Sequence, residues 1–301
     1  MISEKQLTFV CPLCAHNEIQ FNLHCVDYSL THDTFDIYTC KNCNFHFTYP
    51  VPSKSGIIPY YDFPDYISHT DAKEGWLNKI YHLVRKHTLS QKTNWIQSLF
   101  PGQKGSLLDV GAGTGSFASA MEKKGWKVTA LEPDAGTREK AFAINHINLL
   151  PTDIMFDLPE NAYDVITLWH VLEHVHDLSE YMEAFNALLK PNGRLIIAVP
   201  NHTSFDAGFY KKYWAAYDVP RHLYHFSPNS MHLLCKQFQL TINQYKPMWF
   251  DSFYVSLLSE KYKKTGLFGI LRAGTIGLIS NIATLFNHKK ASSIIYEIKK
   301  S

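Results

Sequence analysis

Residues 107–115, Leu-Leu-Asp-Val-Gly-Ala-Gly-Thr-Gly, constrain the fold of this chain more than any other stretch. A short apolar run enters a glycine-rich turn, and residues 116–122 continue as the first turns of a helix. Glycine accepts positive φ and lets a ligand approach the main chain closely. A helix start then offers unpaired N–H groups to polar ligand atoms. Strand, turn and helix together make a cradle for a nucleotide-like ligand. The 301 residues are 46% apolar, enough to bury one large domain around this unit and leave a small appendage.

Two acids refine the ligand. Asp109 stands just before the glycines Gly111, Gly113 and Gly115, which are spaced G-x-G-x-G. A dinucleotide fingerprint would place its third glycine at 116, where the chain has Ser116. A carboxylate at Asp109 suits an ammonium group better than a pyrophosphate. Glu132-Pro133 closes a second apolar run, Lys127–Leu131. An acid about 20 residues past the glycines is placed to accept both ribose hydroxyls. An amino-acid part at one end and a ribose at the other describe S-adenosylmethionine.

With these residues the stretch resembles motif I of the class I S-adenosylmethionine-dependent methyltransferases, and Leu131-Glu132-Pro133-Asp134 resembles their acidic loop after the second strand. The resemblance is specific over 105–200. It implies an α/β fold: a Rossmann-like, seven-stranded sheet with helices on both faces, whose last strand runs antiparallel between two parallel ones. It also implies that Asp153 meets the adenine amino group and that Trp169 and His170 lie against the cofactor. The order of the segments agrees. Strands and helices alternate from Leu107 to Pro200, which demands a parallel sheet. Ile147–Leu150 is expected as a short strand, and Lys190-Pro191-Asn192-Gly193 as a turn before the strand 194–199.

The segment after the fourth of these strands, Trp169-His170-Val171-Leu172-Glu173-His174, carries the chemistry. It has no Asn-Pro-Pro-Tyr-like tetrad of the kind that holds an amine acceptor. A hydroxyl or carbon acceptor instead needs a base for its proton. His170, Glu173 and His174 are the candidates at the strand end, and packing is the other role open to His174. His222 and His225 rival it, in a long segment, 205–226, dense in aromatic and titratable groups and placed where ligands of open α/β sheets bind. The string 218–228, D-V-P-R-H-L-Y-H-F-S-P, resembles a methyltransferase branch linked to sugars or quinone-like rings. Segment 205–226 is therefore expected to form the acceptor pocket. Arg221 either binds an acceptor phosphate or carboxylate there, or pairs with Asp218 to brace the loop.

Near the start, Cys11-x-x-Cys14 and Cys40-x-x-Cys43 each form a turn that points two thiolates at one place. Two such turns make a tetrahedral site, and the spacing resembles a zinc ribbon with structural zinc. The expected organisation is a ribbon at 1–50 and a connector at 51–75 with a cluster of tyrosines. A methyltransferase domain follows at 76–301, with a helical insertion near 255–288.

Formal net charge is +2, which gives no field that implies nucleic acid. The first residues lack the basic-then-apolar order of a signal peptide, so the expected location is cytoplasmic. The expected reaction is direct SN2 methyl transfer to an oxygen or carbon of a small-molecule, sugar or lipid-linked acceptor. Ribosomal RNA methylation, a non-catalytic scaffold that binds S-adenosylmethionine, and dinucleotide oxidoreduction remain as alternatives. Residues 266–286 form an apolar run flanked by lysines, compatible with a helical cap, a homodimer contact or peripheral membrane contact.

Overall fold

A computed structural model describes residues 9–61 and 76–300. The glycine turn follows β4 (Ser106–Val110), buried from Leu107 to Val110 and so covered on both faces. This strand pairs in parallel with β5 (Lys127–Leu131) on one side and β6 (Tyr163–Trp169) on the other. β6 continues in parallel to β7 (Leu189–Pro200). β10 (Ser293–Lys300) enters antiparallel between β7 and β9 (Leu240–Pro247). The strand order is β5-β4-β6-β7-β10-β9.

Side-chain alternation assigns each face its helices. Leu107, Val165, Ile196 and Ala198 pack with Ile96 of α1 (Trp76–Leu99) and Phe117 and Met121 of α2 (Ser116–Lys123). Leu108, Ile166, Leu195 and Ile197 point the other way. They meet Met182 and Phe185 of α4 (Leu178–Leu188) and Met231 and Leu234 of α6 (Pro228–Gln237). The remaining helices are α3 (Ala135–Asn145), capped by the Asp134 carboxylate on the Thr137 N–H, α5 (Phe205–Tyr210), α7 (Asp251–Tyr262) and α8 (Leu267–Phe286). The last two pack together as a helical hairpin between β9 and β10.

Three local expectations change. Ile147–Leu150 is not a strand; only a parallel bridge joins Leu150 to Leu131, so the sheet has six strands among the described residues rather than seven. Lys190-Pro191-Asn192-Gly193 is absorbed into the first part of β7, and the register with β6 breaks between Tyr163 and Val165. Segment 205–226 is not an open pocket wall. Tyr210, Trp214 and Tyr217 are buried with Cys25, Phe35 and Ile37 of the N-terminal strands. Its aromatic density serves a packed junction.

Those N-terminal strands are β1 (Ile19–Val26), β2 (Thr34–Cys40) and β3 (His46–Tyr49), joined antiparallel. Their sheet takes its fourth strand, β8 (Tyr224–His225), from the other end of the chain, with His46 opposite His225 and Phe47 opposite Tyr224. The cysteine-rich module and the large sheet are thus tied through shared backbone pairing. In the connector, Phe63, Pro64 and Tyr66 lie outside the described residues.

Candidate active site

The glycine turn leaves the C-terminal end of β4 with Gly111, Gly113 and Gly115 all at positive φ. A side chain at Gly111 would place its Cβ 2.4 Å from Val171 Cγ2, so the turn fits only because nothing is there. Gly113 has no atom within 4 Å of the equivalent point, so the turn is open on the side a ligand would approach. Glu132, at the end of β5, reaches back to this turn. Its carboxylate accepts the Gly113 N–H at 2.9 Å and the Asp134 N–H at 3.2 Å. Burial raises its pKa and those two N–H groups oppose the rise. Pro133 follows it, its carbonyl held by Arg138 Nη1 at 2.7 Å.

Asp109 lies beneath the turn and is almost fully buried. Thr167 Oγ1 donates to its Oδ1 at 2.7 Å, while its Oδ2 has no hydrogen-bond partner. Burial raises its pKa to about 7, against the Thr167 hydrogen bond and the Lys92 charge. An orphaned buried carboxylate oxygen below an open glycine cradle fits an ammonium-bearing ligand. Asp153 is exposed in the 3₁₀ turn Thr152–Asp157, just past the Leu150 bridge to β5. The Trp169 indole meets the Phe117 ring edge-on, and Lys92 Nζ sits 4.1 Å from its centroid.

A second group of polar side chains begins one residue beyond β6. His170 adopts a left-handed backbone, φ +58°. Its Nε2 is 3.3 Å from Asp251 Oδ2 and its Nδ1 3.4 Å from Glu173 Oε1. Burial alone would favour the neutral ring, but the two carboxylates beside it raise its pKa to about 9. His170 is therefore a cation near neutrality. Glu173 is buried, neither of its oxygens has a close hydrogen bond, and His222 Nε2 lies 4.0 Å from Oε1. Burial works to raise the Glu173 pKa; the surrounding imidazoles outweigh it and hold the group ionised.

His174 and His222 face each other edge to face, ring centroids 4.6 Å apart. Each has Nδ1 against a main-chain carbonyl: His174 on Arg221 O at 3.0 Å, His222 on Ala216 O at 2.8 Å. A carbonyl only accepts, so in each ring Nδ1 carries a hydrogen and Nε2 is the nitrogen left for chemistry. The Tyr61 hydroxyl is also 3.0 Å from His174 Nδ1. Burial and the neighbouring His222 lower the His174 pKa to about 4, so this ring is neutral near pH 7. Ligand atoms of Glu173, His174 and His222 lie within 4.8 Å of one another, close enough to hold a divalent cation between them.

The two other loop residues turn inward. His225 is buried in β8, with Nε2 3.0 Å from Thr48 Oγ1 and its ring against Tyr217. It belongs to the seam between the modules, not to the Glu173 group. Arg221 is buried and engaged on every side: both Asp218 oxygens, Asp27 at 2.8 Å and the Tyr60 carbonyl at 2.9 Å. It braces the loop. Lys92 and Asp251 carry no motif; both come from helices whose sequence reads only as amphipathic or apolar, and only the fold brings them to the strand ends.

Cys11, Cys14, Cys40 and Cys43 converge in the N-terminal module. Sγ atoms are 3.6 Å apart for Cys11–Cys43 and 3.5 Å for Cys14–Cys40. Zinc–sulfur bonds of about 2.3 Å in a tetrahedron place sulfurs about 3.8 Å apart, so the four thiolates fit zinc in a closed site. The Leu13 N–H and the Asn42 amide point at two of the sulfurs, a second shell such a site requires.

A family model described as a methyltransferase domain matches residues 84–245, more than half of the chain. The chain belongs to the methyltransferase domain family. Among curated relatives, an enzyme of Paramagnetospirillum magneticum named ubiquinone biosynthesis O-methyltransferase is 35% identical over 33% of this chain and 42% of its own length. One of the same name from Rickettsia felis is 24% identical over 62% of this chain and 81% of its own length. The chain thus spans less than half of the first relative and most of the second. Among solved structures, the magnesium protoporphyrin IX methyltransferase of Synechocystis with bound SAH superposes with a TM-score of 0.53 at 14% identity, covering 82% of this chain and 100% of that one. The PH0226 protein of Pyrococcus horikoshii gives 0.50 at 12%, covering 81% and 99%. These likenesses show a common fold: the methyltransferase sheet, with the glycine turn and Glu173 group of this chain at the strand ends where ligands of open α/β sheets bind.

Proposed function

We propose that this methyltransferase transfers the methyl group of S-adenosylmethionine to a hydroxyl oxygen of a small molecule. One observation carries the reading: His222, with Nδ1 committed to a main-chain carbonyl, sets its Nε2 4.0 Å from the buried Glu173 carboxylate and packs against His174, at the sheet edge that also holds the open glycine cradle. Asp109 Oδ2 would take the cofactor's ammonium group, and Glu132 its ribose hydroxyls. Gly113 leaves room for its approach. Asp153 stands on the adenine side. Bound S-adenosylmethionine supplies the electrophilic methyl. His222 Nε2 takes the acceptor proton, Glu173 stabilises the resulting imidazolium, and cationic His170 keeps Glu173 ionised. Trp169 and Lys92 wall the cofactor side. Orientation of the acceptor oxygen in line with the methyl supplies most of the rate. The name shared by the curated relatives favours oxygen over carbon and a quinone-like acceptor. The thiolates of the N-terminal module would hold a structural zinc, which has no open position for chemistry.

The test is His222→Asn with a panel of small phenols and catechols and methyl-labelled cofactor. Removing a general base costs about 10²–10⁴-fold in kcat. Affinity for S-adenosylhomocysteine should not change. Equal kcat in the variant would remove His222 from the role. The Glu173 oxygens, which make no close hydrogen bond, favour one second reading, a divalent cation held by Glu173, His174 and His222 that activates the acceptor instead. Activity lost on chelation and restored by magnesium would select it.

A further inference from the structure

The α7–α8 hairpin is built inside out. Helix α8 turns its small and hydroxylated residues inward: Gly269, Ala273, Gly277, Ser280 and Thr284 are buried. Of its large apolar residues Ile276 is buried with them, and most of the others face out. Leu267 and Phe268 are each 84% exposed, Leu271 74%, Leu285 67% and Phe286 88%, with Leu278 between them. An ordinary surface helix has the opposite arrangement. The inner contact is complete. A Cβ on Gly277 would lie 2.6 Å from the Phe253 ring, Ser252 Oγ donates to the Gly277 carbonyl at 3.2 Å, and Ser280 Oγ to Asp206 at 2.7 Å. The outer stripe is therefore not a mispacked core. Phe253, Tyr254 and Leu257 of α7 and Phe209 of α5 extend it. Contiguous apolar patches much beyond a few hundred Å² mark an interaction surface.

The charges say what covers it. From 251 to 292 the only acids are Asp251 and Glu260, and both are committed, Asp251 to His170 and Glu260 to Arg272. Lys261, Lys263 and Lys264 precede α8, and Lys289 and Lys290 follow it. Lys263 Nζ lies 5.8 Å from the ring of the exposed Phe209, so the cationic end is continuous with the apolar stripe. At about 1.5 Å per residue the helix separates the two lysine groups by about 30 Å. An apolar face with cations at both ends and no free acid matches the acyl boundary and phosphates of an anionic bilayer surface. It does not match a second copy, because a symmetric contact would set these lysines against one another without a countercharge.

We infer that the outer face of α7–α8 docks on a membrane surface rich in anionic phospholipid, with α8 lying in the plane of the interface. Asp251, the first residue of α7, touches His170, so the docked element reaches the candidate active site. If the proposed methyl transfer is correct, a lipid-soluble acceptor would be presented there; the docking itself does not depend on it.

The experiment is flotation of the full chain with vesicles of phosphatidylcholine alone and of phosphatidylcholine with phosphatidylglycerol. Binding to the anionic vesicles is expected, at least tenfold weaker to the neutral ones and weakened by salt. The double substitution Leu271→Glu, Leu278→Glu should abolish it. Lys261→Gln, Lys264→Gln, Lys289→Gln on exposed side chains should reduce it at least tenfold without touching the apolar stripe, which keeps the test decisive if the first variant unfolds. Affinity for S-adenosylhomocysteine, read by calorimetry, should stay the same in both. No vesicle binding, or equal binding to both vesicle types, would overturn the inference. So would a stable dimer in sedimentation velocity that L271E/L278E dissociates, with no vesicle binding.

Discussion

At the scale of single residues, the cradle is set by what is missing. Gly111 sits at φ +68°, and any Cβ there strikes Val171 in the turn that carries His170 and Glu173. Gly111→Ala should therefore lower thermal stability and weaken S-adenosylhomocysteine binding together, by tenfold or more in calorimetry, because the clash displaces both halves of the site. An unchanged affinity would mean the turn is not the cofactor cradle. The residue-level chemistry was partly legible. Asp109, the glycines and Glu132 follow a fixed local spacing, so the sequence places them. His222 and His225 looked equivalent in the string 218–228, and only the packing separates them: His222 is turned to Glu173, while His225 is paired into a strand edge. Asp251 and Lys92 left no trace, because their roles arise from contacts between elements far apart in the chain.

At the scale of elements, the N-terminal module does more than append a metal site. Thr48 of β3 donates through Oγ1 to the His222 carbonyl at 2.7 Å, and its N–H to the Leu223 carbonyl at 2.9 Å. Leu223 N–H in turn bonds the Glu173 carbonyl at 2.8 Å. The cysteine-bound strands thus hold the loop that presents His222. Metal analysis should find one zinc per chain. Cys40→Ser should release it, lower Tm by about 2–4 °C per kcal/mol lost, and reduce kcat more than it raises the KM for S-adenosylmethionine. Zinc content of zero in the folded protein, or a loss confined to cofactor affinity, would contradict this role. The ribbon's cysteines were legible from spacing alone. Its fourth strand was not, since two residues from position 224 carry no strand signal and pair only because the ribbon offers an edge.

At the scale of the whole molecule, buried histidines set the pH response. Burial lowers the pKa of His46 to about 4, of His202 to about 3 and of His174 to about 4, and pushes His225 well down. These rings are neutral when folded and protonate near pH 6.5 when unfolded. The unfolded chain binds more protons between pH 6.5 and 4, so stability falls as pH falls through that window. Asp109, raised to about 7, and Glu132, also raised by burial, act oppositely but are two groups against four. His170, raised to about 9, contributes stability that is full below pH 6.5 and lost as pH rises to 9. Tm measured against pH should therefore peak near neutrality, and His170→Asn should flatten the alkaline side. A Tm that climbs steadily to pH 9 would contradict the ionised His170–Glu173–Asp251 group. The sheet itself was the most legible part, because alternating strands and helices leave few topologies. The missing seventh strand and the junction at 205–226 were not, since an apolar tetrapeptide and an aromatic-rich segment each suit either strand or packing, and tertiary contacts decide.

The central claim is methyl transfer to a small hydroxylated acceptor, and partition of label tests it most directly. The full chain is incubated with methyl-labelled S-adenosylmethionine and a fractionated extract of its source cells, and each fraction is counted before and after nuclease and base treatment. The account predicts label in nuclease-resistant, base-stable small-molecule or lipid material, lost in His222→Asn. Label in nuclease-sensitive material, or none in any fraction despite tight cofactor binding, would contradict it.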